Sequence, residues 1–402
     1  MISKETTVSA PYHGLKVLDL SQGIAGPYCA MILQQNGAEV IKVEPPTGDW
    51  SRGIGHAPEG MSALAISYNL GKQSICIDGR SEQGLALMRT LALQADIVIE
   101  SFRPGVMAKL GLSYAALSKE KPGLVYVSVS AFGPDGPYAE RPGSDSTLQA
   151  MSGMMVVNRD SHGTPRKVGI LLIDVATGIY AAQATGTALY RRATQGTGTH
   201  VEISLLECAA AVQGGAIVDE TLGGGRVAQP LSVPAGTFAT QDGHVNVTSL
   251  HDRMFVGLCK ALGKDEWIAD ARFASAAERF SHAAEINGAL EAIFPGQPTA
   301  YWLDALSKHG VVCGKVAGYA DFLADPQVMQ QAIFQQSDQG GLGHVPMPRI
   351  PGVAHGATAR SSPSPRKGEH TCRVLAELGL DETEIQALLA SGVVLSRDPA
   401  AA

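Results

Sequence analysis

Short aliphatic and β-branched runs alternate with helical segments through the first third of the chain, the pattern of a parallel sheet covered by helices. Residues 15–20 read as a strand, 27–35 as a helix with Pro27 in its first turn, Gly37 as its stop, and 40–43 as the next strand. The alternation continues with strands at 74–77, 97–99 and 124–130 and a helix at 81–94. A small-residue helix then runs toward Arg191, followed by a strand at 200–204 and a helix at 205–219. The texture changes at Gly223, Gly224 and Gly225, which with Gln229-Pro230 form a loop that no helix or strand tolerates. The expected organisation is therefore a large α/β domain over 1–222, a smaller α+β domain over 223–341, and a returning segment over 342–402. In the smaller domain, 238–248 is expected to be a hairpin turning at Asp242-Gly243, with helices at 253–262 and 283–292. Residues 342–368, rich in Pro, Ser, Gly and Arg, read as an extended excursion, and helices at 370–378 and 381–390 close the chain.

Asp174 stands out against this pattern, because it is a lone carboxylate in an apolar stretch formed by residues 169–173 with Val175 and Ala176. Burying an ionised Asp costs several kcal/mol unless donors surround it. Two compatible readings follow. Asp174 is either a nucleophile or an N-cap, set between the end of a strand and the first turn of a helix.

Composition narrows the field. The chain has 402 residues, is 45% hydrophobic and 17% charged, and carries a net charge of −7, which fits an enzyme-sized fold with a large core and argues against general polyanion binding. A local basic pocket for phosphates remains compatible with that charge. The six cysteines, Cys29, Cys76, Cys208, Cys259, Cys313 and Cys372, are scattered, with no C-x-x-C pair and no spacing for a metal site. Reduced thiols in the cytoplasm are the expectation, and the polar residues 1–13 lack the apolar core of a signal peptide. Residues 170–190 contain Asp174, Gln183 and three threonines, which disfavours a membrane span of ~20 predominantly apolar residues. The turn at 21–27 ends in Pro27, against the glycine pattern of a dinucleotide site. His56, His162, His244 and His251 show no partner spacing.

Several segments in one order carry a resemblance: Val17-Leu18-Asp19-Leu20-Ser21, Ala25-Gly26-Pro27, the run from Gly37 to Glu44, Gly48-Asp49 with Arg52, Phe102-Arg103-Pro104-Gly105, Gly133-Pro134 with Gly136-Pro137, Asp174 with Gly178, and Gly368-Glu369-His370-Thr371. Together they resemble the class III CoA-transferases, the family of formyl-CoA transferase and carnitine CoA-transferase, to which α-methylacyl-CoA racemase also belongs. The resemblance implies a Rossmann-like large domain, a smaller domain, and two chains threaded through each other as an interlocked homodimer. It implies coenzyme A and acyl-CoA as substrates, with no permanently bound cofactor or metal, and a free carboxylic acid as acceptor.

By that resemblance the family's nucleophilic aspartate falls on Asp174. Its CoA contacts fall on Ile24, Ala25, Ile77, Asp78, Gly79, Arg80, Ser101, Phe102, Arg103 and Lys109. Pro45 stands where relatives often carry an arginine, so that phosphate contact is either lost or taken by Arg52 or Lys72. Ser144 stands where racemases carry a histidine, and a hydroxyl cannot shuttle a proton near neutral pH as imidazole does, which argues for transfer over racemisation. Asp145 is a positioning candidate, or else a helix cap in its own turn. Gly223 to Gly225 resembles a glycine loop whose N–H groups face an oxyanion, with an interdomain hinge as the alternative. The basic pair Arg166-Lys167, just upstream of Asp174, is a candidate for a second carboxylate, with short dicarboxylates as the preferred acceptors. The competing functions are a 2-methylacyl-CoA racemase and a catalytically silent acyl-CoA-binding subunit.

Overall fold

The computed structural model describes residues 10–160, 162–225, 232–353 and 362–397. Six strands form the main sheet: β1 Lys16–Asp19, β2 Glu39–Glu44, β3 Gln73–Ile77, β4 Ile97–Glu100, β5 Val125–Ser130 and β6 Thr199–Ser204. They lie in the order 3-2-1-4-5-6 and pair in parallel throughout, with the short strand Val394–Leu395 antiparallel on β3 at the edge.

The central strands β1, β4 and β5 bury side chains on both faces because helices cover both. Val17, Ile97, Val125 and Val127 pack into one layer of core with the helices Ala25–Gln35 and Leu172–Gln195. Leu18, Val98 and Tyr126 pack into the other layer with the helices Glu82–Gln94 and Thr371–Glu377. A period-2 side-chain alternation with both sets buried gives the near-continuous apolar runs that identified the strands.

The described residues divide into two compact units, one made of those up to Ile217 together with those from Phe334 onward, the other of those within Val218–Ile333. The division falls inside the helix Gly214–Leu222, so it lies a few residues earlier than the glycine-marked edge. The segment expected as one helix over 205–219 is two, Leu205–Val212 and Gly214–Leu222, with Gln213 capping the first beside a Gly-Gly pair that carries no side chains to hold a continuous turn. The second unit contains the expected hairpin, Ala235–Ala239 against His244–Thr248, joined by a third antiparallel strand, Val312–Lys315. Its core centres on Phe238, Phe273, Phe294 and Trp302.

The segment 342–368 is not a loose excursion where it is described. His344–Pro348 pairs antiparallel with Phe334–Asp338, and Met347 packs with Met31, Met61, Ile66 and Leu70 of the first unit. The Ser364 hydroxyl donates to the Ile66 carbonyl (2.6 Å), and Pro365 accepts from Arg52 (3.0 Å). Pro and Gly signalled breaks in regular structure, and the apolar positions Val345 and Met347 between them supply a packed face. Among the described residues no helix is long and apolar enough to cross a membrane, and no His/Cys/Asp/Glu cluster fits a metal ion.

Candidate active site

In an open parallel sheet the crevice lies outside the carboxyl ends of the strands, where the strand order reverses. Here that point is between β1 and β4. The loops leaving the two strands are tied together by Gln22, whose N–H donates to the Ser101 hydroxyl (3.0 Å). They line a cavity of about 520 Å³ that also reaches Val129 to Ala131 at the carboxyl end of β5, Arg141 to Gly143, Leu205, and Asp174.

A buried charged network fixes the β1 loop. Lys42 bridges Asp49 (2.8 Å) and approaches Asp19 (3.9 Å), while Lys72 pairs with Asp19 (2.8 Å) and donates to the Pro27 carbonyl and to Asn69 (2.8 and 2.9 Å). Glu44 takes Arg52 in a two-pronged contact (2.6 and 2.7 Å) and accepts from Ser74 (2.7 Å). Three carboxylates thus meet three cations in the interior. Although burial itself pushes their pKa values up, Lys72 and Lys42 hold Asp19 below the carboxylate range, and Arg52 does the same for Glu44. Asp49 also accepts the Gly23 N–H (3.0 Å). Gly23 has φ +81°, and a Cβ there would lie 2.3 Å from the Trp50 ring, so only glycine lets Trp50 cover this loop.

Asp174 comes to the cavity on the helix Leu172–Gln195, whose buried side is made of Ala176, Gly178, Ala181, Ala182 and Thr185. These small residues let it approach the helix Ala25–Gln35 closely; a Cβ on Gly178 would meet the Ala25 carbonyl at 2.9 Å. The expected strand before Asp174 is absent, and Asp174 is not the N-cap. That position is Leu171, whose side chain has no acceptor, and Asp174 is the third helical residue. Asp145 caps the helix from outside: its Oδ2 accepts from Ile173 N (2.7 Å) and Asp174 N (3.2 Å), and its Oδ1 from Gln149 (2.6 Å). Asp145 therefore does not cap its own turn. Ser144 does, accepting from Thr147 N (3.4 Å).

The consequence is a carboxylate pair with opposite surroundings. Asp145 is wrapped in donors, whereas among the described residues none reaches the Asp174 carboxylate. Burial, and secondarily the charge of Asp145, pushes Asp174 up to about 7. The helix dipole opposes that shift but is worth only about 0.3–1 kcal/mol, less than the desolvation of a half-buried carboxylate. Nearby Tyr68 is pushed up to about 12 by burial and by Tyr28, Asp174 and Asp145, so it stays a protonated donor.

Of the residues expected at the site, Ile24, Ala25, Ser101, Phe102 and Arg103 line the cavity with Asp174. Ile77, Asp78, Gly79 and Arg80 lie apart, at the carboxyl end of β3; Ile77 is buried, and Arg80 is exposed and paired to Asp78 (2.9 Å). Lys109 is exposed at the end of the short helix Val106–Lys109. Lys72 and Arg52 do not stand in for the arginine missing at Pro45, since both are buried and committed to Asp19 and Glu44. The cation beside that position is Lys367, from the closing segment, whose Nζ donates to the Pro46 carbonyl (2.6 Å). Arg166 is bound to Asp160 (2.8 and 3.0 Å) and Lys167 to Ser146 (3.4 Å), so neither lines the cavity. Gly223 to Gly225 end a helix, with Gly225 N donating to the Glu220 carbonyl (2.9 Å); residues 226–231, which include Arg226 and Gln229-Pro230, lie outside the described residues.

Sequence reasoning missed Arg141, Trp50 and Tyr68. No local signal marks them, because the loops that carry them meet only in the fold. Phe102 and Arg103 also line an adjoining cavity of about 230 Å³, where Ser128 bonds His200 (2.9 Å) and His200 stacks on Tyr114.

Residues 12–371 match the family described as CoA-transferase family III. The chain is 32% identical over 387 residues to the succinate–glutarate CoA-transferase of Agrobacterium fabrum, covering 92% of this chain and 96% of that one. It is 34% identical over 348 residues to the acetyl-CoA:oxalate CoA-transferase of Acetobacter aceti, covering 85% and 88%. Among solved structures, a CAIB/BAIF family protein from Brucella suis superposes with a TM-score of 0.82 at 35% identity, covering 92% of this chain and all of that one.

Proposed function

The chain belongs to CoA-transferase family III, and from that premise we propose that Asp174 is the group through which CoA passes from an acyl-CoA to a free carboxylic acid. The observation that carries this reading is the desolvated, donor-free carboxylate of Asp174 in the cavity at the β1/β4 reversal. A carboxylate stripped of hydrogen bonds is more basic and more nucleophilic than one in water.

The steps balance without an external reagent. Asp174 Oδ attacks the thioester carbonyl, the C–S bond breaks, and a mixed anhydride and CoA thiolate form. The thiolate attacks the aspartyl carbonyl, releasing the donor acid and leaving an aspartyl-CoA thioester. The acceptor carboxylate attacks that thioester and expels the thiolate, which then attacks the acceptor's acyl carbonyl, giving the new acyl-CoA and restoring Asp174. Each step exchanges one activated carboxyl for another, so no barrier has to absorb the whole thioester energy.

Arg103 at the cavity wall is the cation best placed for the phosphates of CoA, with Lys109 at the end of the helix that follows, and Arg80 after β3 and Lys367 beside Pro46 farther along the same sheet edge. Succinyl-CoA is a fitting donor, because relatives named for succinate and glutarate align over most of the chain. We read the protein as a cytoplasmic homodimer; six free cysteines and the exposed Ile179, Tyr180 and Tyr190 on the Asp174 helix support this.

Trapping tests the mechanism. Incubation with acyl-CoA alone, followed by denaturation and peptide mass analysis, is expected to find a CoA-sized increment on the Asp174 peptide, lost in Asp174→Ala. An unmodified peptide while transfer demonstrably proceeds would overturn the covalent role.

A further inference from the structure

Two exposed arginines are among the residues that line the Asp174 cavity, and only one of them is stacked on a ring. Arg103 lies where that cavity meets its 230 Å³ neighbour and lines both. Arg141 lines only the cavity that contains Asp174. Its guanidinium carbon sits 4.0 Å from the centroid of the Tyr138 ring, and Tyr138 packs edge-on against Phe132 at 5.8 Å. Stacking fixes one face of the guanidinium and leaves its edge donors free. Among the described residues no acceptor takes them, whereas the arginines Arg52, Arg192 and Arg279 each meet a carboxylate.

An arginine with its face occupied and its fork unclaimed is arranged for a planar anion. CoA brings phosphates to this reaction, but they are separated from the reacting sulfur by the whole pantetheine arm. The anion nearest the reacting carbon is a second carboxylate on the acid being activated. We propose that Arg141 binds the distal carboxylate of a dicarboxylic acid and so sets the preference for dicarboxylic over monocarboxylic acids. This rests on the CoA-transfer reading above.

The test uses the full chain, one fixed acyl-CoA donor, and acceptors matched in length: glutarate against pentanoate, and succinate against butyrate. For Arg141→Ala the ratio of kcat/KM between dicarboxylate and monocarboxylate is expected to fall about 10- to 100-fold, the worth of one charge-assisted forked contact. Arg141→Lys should restore part of the ratio, since it returns the charge without the fork. Should the alanine variant fold poorly, Arg141→Gln and Arg141→Lys carry the same comparison. A ratio unchanged in the variants, or equally low in the wild type, overturns the role of Arg141 while leaving transfer intact. Failure of the wild type to transfer CoA to any acid overturns both.

Discussion

Replacing Asp174 by Asn should stabilise the protein as it abolishes the chemistry, and the gain should grow with pH. The ordinary carboxyl value of 3.8 rises to about 7 in the fold, which at 1.36 kcal/mol per pH unit corresponds to about 4 kcal/mol for a wholly desolvated group. Residual solvent contact of the half-buried side chain lowers the expectation to about 2–4 kcal/mol. The sign follows from proton binding. Between pH 4 and 7 the folded state holds a proton on Asp174 that the unfolded chain has released, so the contribution of this group to stability falls as pH rises through that window. Below pH 4 both states are protonated, and Asn and Asp174 should be nearly equivalent. Above pH 7 the ionised carboxylate exacts its full penalty, and D174N should melt about 3–7 °C higher than wild type in a unit of this size. Paired thermal or urea unfolding from pH 4 to 8.5 reads the difference directly, because every other titrating group is common to both proteins. The same group should make the acylation half-reaction of the wild type rise with pH through about 7. A stability difference independent of pH, or a variant less stable than wild type at pH 8, would mean that Asp174 has a native partner and would refute the argument.

Arg103→Ala and Lys109→Ala should each raise the KM for acyl-CoA by about tenfold or more, the worth of a charge-assisted contact, with a smaller effect on donors lacking the 3′-phosphate. Equal losses on both donors would assign these residues to the fold. Lys72→Met should destabilise the protein by about 3–5 kcal/mol, since the only cation left to Asp19 would be Lys42 at 3.9 Å, beside the Ser21 N–H and hydroxyl, and a loss below about 1 kcal/mol in urea unfolding would show that the network reorganises.

Local sequence determined much of the framework. The mostly aliphatic runs at 15–20, 40–43 and 124–130 became β1, β2 and β5 because a strand covered on both faces is rich in apolar residues, and that is a local property. The oddity of Asp174 was also local, since a single acid in an apolar stretch is visible without a fold. Its partners were not. Whether Asp174 capped its helix depended on Asp145, 29 residues earlier, taking the helix N–H groups first. Lys72, as charged and as solvent-suited in the sequence as Arg103, proved to be committed to Asp19, 53 residues earlier, because the fold placed that acid within its reach. Arg141 had no signature, yet it reached the cavity without an acid partner among the described residues, because the loop after β5 lines the same cavity as the loops leaving β1 and β4. Burial and periodicity are written into neighbouring residues, so the sequence determined the elements and the unusual carboxylate. Which charges are neutralised and which stay free is settled between residues far apart in the chain, and only the tertiary structure decided it.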